Sequence, residues 1–121
     1  MTIVSFLDLQ VYQESFQLSL EIDSLTRVFP RSERFLLSDQ IIRASRAIPA
    51  IIAEGYGKRE SAKEFKKYLR DALGETNEMI NHLALAKAKK YLESQKADDL
   101  IQRYNIVGRK LSKLKDNWQK F

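Results

Sequence analysis

The chain has 121 residues, 31% of them charged, a net charge of +5 and no cysteine. That length suggests a single domain able to build a core without staples, and the lack of cysteine excludes disulfides and thiolate metal sites and fits a reducing, cytoplasmic setting. Residues 1–26 hold Asp8, Glu14, Glu21 and Asp23 with no Lys or Arg, −4 in all, so with a total of +5 the remainder carries +9.

The opening MTIVSFLDLQ has no basic residue and no long apolar run, and is expected to be neither a signal peptide nor a membrane span. Four Gly, two Pro and the absence of sustained period-2 alternation leave helical spacing as the dominant signal. The first helix is expected over about 8–29, with Asp8 or Ser5 as cap and Pro30 as stop. Its apolar stripe is Tyr12, Phe16, Leu18, Ile22, Leu25 and Phe29. Phe6, Leu9, Tyr12, Phe16 and Leu20 spread apolar surface around more than half the girth of this helix, more than one bundle core needs.

The second helix is expected over about 32–56, with Leu37, Ile41, Ala44, Ile48 and Ile52 at steps of three and four. Pro49 lacks an N–H and crowds the carbonyl of Ser45. The helix is therefore expected to kink there, or to break and restart with Pro49 in its first turn. Gly55 and Gly57 are read as the positive-φ stop.

The third helix is expected over about 62–90. Ser61 and Glu64 have capping-box spacing, and Phe65, Leu69, Ala72, Thr76, Met79, Leu83 and Ala86 form its seam. Gly74 lies in mid-helix, where Gly costs roughly 1 kcal/mol against Ala, and is read as a close approach to a neighbouring helix. The fourth is expected over about 95–118, capped by Ser94, with Leu100, Tyr104, Val107, Leu111, Leu114 and Trp118 as its seam. Four helices of this length make an all-α, antiparallel, up-and-down four-helix bundle as a single domain.

Catalytic constellations are scarce. His82 is the only histidine, so triads and common zinc sites cannot be assembled, and it reads as a surface or inter-helix residue. A bundle di-metal site wants Glu-x-x-His on two helices, whereas here Glu75-x-x-Glu78 stands alone, and an ion pair from these carboxylates to Arg43 or Arg46 is the expected use. Gly55-Tyr56-Gly57-Lys58-Arg59 lacks the Gly-Lys-Ser/Thr ending of a phosphate loop and follows a helix, not a strand. No enzyme activity, cofactor, metal or small-molecule substrate is expected.

The basic residues are more suggestive. Arg59, Lys63, Lys66 and Arg70, with Lys58 just before them, share one face of the third helix, and Arg109, Lys113 and Lys120 make a stripe on the fourth. Such stripes can contact the phosphates of RNA or DNA, with Tyr68 placed to stack. The plain alternative is a solvated charged face diluted by Glu60, Glu64 and Asp71.

The stretch SDQIIRASRAIPAIIAEGYGKRESAKEFKKYLRDALGETNE, Ser38 to Glu78, resembles the signature of the 23S rRNA-intervening-sequence family of four-helix-bundle proteins. Its marks are the Ile-Pro-Ala-x-Ile-Ala-Glu-Gly-Tyr-Gly segment and the following Glu-Phe. LDLQVYQESFQLSLEIDSLTRVFP and YLESQKADDL fit the same family. Retained structural positions are Pro49, Glu54, Gly55, Tyr56 and Gly57, with Phe65 and Gly74 downstream. The chain departs from the family at Ala47 and Ile51, where the family usually has Ser and Asn, and at Arg46, which replaces a commonly apolar residue. The resemblance implies a homo-oligomer, commonly a ring-like pentamer, with no enzyme activity. The bundle is also similar to the accessory protein of diversity-generating retroelements, a basic pentamer that binds nucleic acid and a reverse transcriptase. That analogy adds a reverse transcriptase to the partners to be considered. A protein-interaction scaffold, with the acidic first helix meeting basic helices across subunits, is the competing reading.

Overall fold

A computed structural model describes residues 2–118, so Lys120 of the expected stripe lies outside the described residues. Among those residues the secondary structure is helical throughout, with four α-helices and no strand: α1 (Gln10–Leu25), α2 (Leu37–Tyr56), α3 (Ala62–Ala88) and α4 (Ser94–Asn117). The first helix is shorter than expected. Short 3-10 turns at Phe6–Asp8 and Thr26–Val28 flank it, and a third, Arg31–Glu33, precedes α2. Ser5 and Asp8 do form a capping box, but on the turn Phe6–Asp8 rather than on α1. The chain leaves the α-helical path at Leu25, four residues ahead of Phe29.

Each helix packs on its sequence neighbours, and α1 closes the bundle against α4. Residue pairs give the direction. Glu14 meets Lys110 and Glu21 meets Arg103, while Lys87 meets Asp98 and Phe65 meets Trp118, so numbers rise on one helix as they fall on its partner. The neighbours are antiparallel, and α1 and α3 occupy opposite corners.

The expected seams of α2 and α3 are buried throughout. On α4 the seam is buried through Leu111 and half-covered at Leu114 and Trp118. Each large apolar side chain removed from water contributes about 1.5–3 kcal/mol. Helix α1 differs: its inward face is Val11, Ser15, Leu18, Ser19 and Ile22, while Phe16 is 45% and Leu20 50% exposed. Buried hydroxyls are satisfied locally, Ser15 Oγ by Tyr12 O, Ser45 Oγ by Ile42 O and Thr76 Oγ1 by Ala72 O. Tyr104 is different, since its buried hydroxyl has no hydrogen-bond partner among the described residues.

Helix α2 runs unbroken across Pro49, so the chain does not break and restart there. Both glycine readings change. No glycine has a positive φ: Gly55 lies within α2, and Gly57 caps it at φ −63°. Gly55 is instead a close-approach residue, because a Cβ on it would stand 2.4 Å from Tyr68 Cβ on α3. Gly74 has nothing within 4 Å of such a Cβ, so it is not packed against another helix of its own chain. Gly108 has Leu73 at 3.4 Å and is the glycine that lies against α3 from α4. The left-handed residue is Lys90, at φ 63°. There the Lys90 N–H donates to Lys87 O and the Tyr91 N–H to Ala86 O, the double bond pattern of a Schellman ending.

The caps also shift. Ser61 Oγ accepts the Glu64 N–H at 3.1 Å, while the Ser61 N–H goes to Lys58 O. Ser94 is the first residue of α4, and Glu93 holds the cap position without a side-chain bond. Between α1 and α2, Glu33 fastens the linker. Its carboxylate accepts the Leu37 N–H and the Tyr91 hydroxyl, the latter at 2.7 Å, which holds its pKa below the usual carboxylate value.

Candidate nucleic-acid interface

The acids of α1 are consumed within the chain. Glu14 pairs with Lys110, Glu21 with Arg103, and Asp23 takes Arg46 through two bonds of 2.9 and 3.0 Å. Their partners within the chain lie on its own α2 and α4. The same pairings remove Arg46 from Glu75 and Glu78, and Arg43 is taken by Asp39. The hydrogen bond from Arg103 holds the Glu21 carboxyl below its usual pKa, against an opposing push from burial.

The basic residues after the glycine corner divide into two groups. Lys58 and Arg59 belong to the corner itself. Lys58 Nζ donates to the Tyr68 hydroxyl at 2.6 Å, and that hydroxyl donates to Glu54 Oε2 at 3.2 Å. This bond, helped by the nearby carboxylates of Glu54 and Glu64, raises the Lys58 pKa. Arg59 places its guanidinium 4.1 Å from the centre of the Tyr56 ring and donates to Tyr56 O. Tyr68 is half-buried, packed on Gly55 with its hydroxyl engaged, so it is built into the corner rather than free to stack on a base.

Lys63, Lys66 and Arg70 stand apart. They line an open cleft of about 630 Å³ between the start of α3 and the end of α4, joined by Lys67 and by Lys115. Glu64 and Asp116 also line it, so five cations face two anions, a local excess of +3. Lys63, Lys66, Lys67 and Arg70 have no carboxylate within 4.0 Å among the described residues; Lys115 has Asp116 at 4.0 Å. Trp118 sets the geometry. Its ring meets Phe65 edge-on at 4.6 Å, pinning the end of α4 to the first turn of α3 and bringing Lys115 to the cleft.

The fourth-helix stripe does not join this face. Arg109 is exposed, and Lys113 lines a different groove, of about 530 Å³, between α4 and the start of α1. Lys67 and Lys115 were not anticipated. Lys67 is legible from its spacing of four after Lys63, whereas Lys115 needs the register between α3 and α4.

His82 is buried, with Nε2 3.2 Å from Glu78 Oε2. Among the described residues no group of three His, Cys, Asp or Glu is placed to hold a metal, and no helix is long and apolar enough to cross a membrane.

The model of one family, the 23S rRNA-intervening sequence protein, matches residues 7–113. Among solved structures, a protein of unknown function from the S23 ribosomal protein family of Bacteroides thetaiotaomicron VPI-5482 superposes with a TM-score of 0.79. It is 23% identical, covering 88% of this chain and 96% of that one, a likeness that speaks to the fold. No curated protein matches the chain.

Proposed function

The chain belongs to the 23S rRNA-intervening sequence protein family, and on that premise we propose that it is a non-enzymatic, self-assembling bundle protein that binds the phosphate backbone of RNA or DNA. The observation that carries this reading is the cleft of Lys63, Lys66, Lys67, Arg70 and Lys115, in which four of the five cations have no carboxylate partner among the described residues. Elsewhere in the bundle many of the cations sit against acids of the same chain. Lysines on a rigid helix pair contact phosphates without reading bases, so binding is tolerant of sequence and steep in salt. Self-association, as a pentamer on the family pattern, repeats the cleft once per subunit and strengthens a weak single contact.

The test is retention of single- and double-stranded RNA and DNA at low salt. Changing Lys63, Lys66 and Arg70 together to Glu removes retention with helicity intact. Neutralising Lys67 or Lys115 lowers the log–log salt slope by roughly 0.7–0.9 for each lost phosphate contact. Changing Arg109 and Lys113 leaves most of the binding in place. If the unchanged protein retains none of the four nucleic acids at low salt, the reading fails.

A protein-interaction module without nucleic acid is then the second reading, and the exposed apolar side chains Phe16, Leu20 and Phe35 favour it. A reverse transcriptase remains one candidate partner under either reading, checked by co-purification.

A further inference from the structure

The linker between α1 and α2 is a surface that neither the core nor the lysine cleft explains. Val28 is 74% exposed, Phe35 80% and Leu36 59%. Arg27, Arg31 and Arg34 stand among them around an open cleft of about 380 Å³, and among the described residues none has a carboxylate within 4.0 Å. The segment is held rather than loose: Glu33 ties it to Tyr91, and Phe29 is buried with its ring 5.5 Å from that of Tyr91.

Its chemistry differs from that of the cleft. Residues 1–57 contain no lysine, so every cation of the segment itself is an arginine set beside large apolar side chains; the lysines that approach it, Lys89 at Glu33 and Lys96 beside Val28, come from later in the chain. Arginine among exposed aromatic and aliphatic groups is the composition of protein–protein interface centres.

The same chain offers a matching surface. Asp71, Glu75 and Glu78 lie within two turns along one edge of α3, without a Lys or Arg within 4.0 Å among the described residues. Beside them Gly74 is exposed, leaving a bare stretch of helix that none of the described residues covers. A mid-helix glycine sacrifices helix propensity, and within one copy nothing repays it.

We propose that the α1–α2 linker of one copy docks on the α3 face of a second copy. Phe35 and Leu36 cover the bare surface at Gly74, and Arg27, Arg31 and Arg34 meet Asp71, Glu75 and Glu78. The two patches are different surfaces of one subunit, so the contact is head-to-tail and propagates into a closed ring or an open chain. The inference rests on the self-association part of the reading above and names its interface.

Light scattering of the full chain across micromolar concentrations tests it. Arg27→Glu, Arg31→Glu and Arg34→Glu together, or Asp71→Lys, Glu75→Lys and Glu78→Lys together, weaken association about tenfold or more while circular dichroism stays helical. Mixed in equal amounts, the two variants associate again, because the reversed charges match, and strict alternation allows only even-numbered rings or open chains. Gly74→Trp also weakens association; in the free subunit a Cβ at this exposed position has nothing within 4 Å among the described residues. If the unchanged protein assembles and both charge variants assemble equally well, or if the mixture shows no association, even as open chains, beyond that of either variant alone, this interface is wrong while self-association stands. A monomer throughout the range removes both. An arginine variant that keeps its assembly mass but loses RNA retention makes the linker a nucleic-acid platform and overturns the proposal.

Discussion

Gly55 of α2 and Tyr68 of α3 share a space that admits no methyl group: a Cβ at position 55 would lie 2.4 Å from Tyr68 Cβ and 2.9 Å from its Cγ. The Cβ of Tyr68 is anchored to backbone, so relief requires moving one helix away from the other. Gly55→Ala is expected to destabilise the bundle by about 1–3 kcal/mol despite alanine's better helix propensity. Urea unfolding measures this, and a neutral or stabilising result would show that the helices separate freely.

Lys90 gives the opposite expectation. It adopts φ 63° in the turn after α3, a conformation that costs a side chain roughly 1 kcal/mol and costs glycine almost nothing. Lys90→Gly is expected to raise stability by up to about 0.5 kcal/mol, the relief of native strain outweighing glycine's larger unfolded entropy. Thermal midpoints of the two proteins decide it.

Acid sensitivity follows from Glu21. Its folded pKa lies below the usual 4.5 because Arg103 hydrogen-bonds its carboxylate. Its contribution is therefore fully present above that value and is lost as pH falls through the lower, folded pKa. Both side chains are about one-third exposed, so solvent screening keeps the effect near 1 kcal/mol. Glu21→Gln is expected to lower stability at neutral pH and to flatten the decline below about pH 4.5, as read by denaturation at a series of pH values.

Tyr104 is buried without a partner for its hydroxyl among the described residues, and burial pushes that hydroxyl far above its ordinary pKa. Removing an unsatisfied polar atom avoids its desolvation cost. Tyr104→Phe is expected to be neutral or to stabilise by up to about 1–2 kcal/mol. A loss of more than that in urea unfolding would reveal a hydrogen bond to bound water.

Most of the architecture was readable because α2, α3 and α4 carry one apolar stripe each, at steps of three and four that map directly onto burial. Helix α1 was harder: its inward face includes Ser15 and Ser19, whose hydroxyls turn back to their own helix, while Phe16 looks inward by type and points out by position. The glycines were misjudged because spacing cannot say which neighbour a missing side chain makes room for. Gly55 and Gly108 serve neighbours in this chain and Gly74 does not. Three of the cleft's five cations were legible, since Lys63, Lys66 and Arg70 recur on one helix, and Lys67 follows Lys63 by the same spacing of four. Lys115 was not, because a residue far away in sequence reaches α3 only through the register fixed at Trp118 and Phe65.

That last contact gives the molecule an optical property. Trp118 is the only tryptophan, and it sits on Phe65 beside the lysines of the cleft. Its emission therefore responds both when the end of α4 lifts from α3 and when a polyanion settles nearby, so folding and ligand occupancy can be followed by fluorescence in the unlabelled chain.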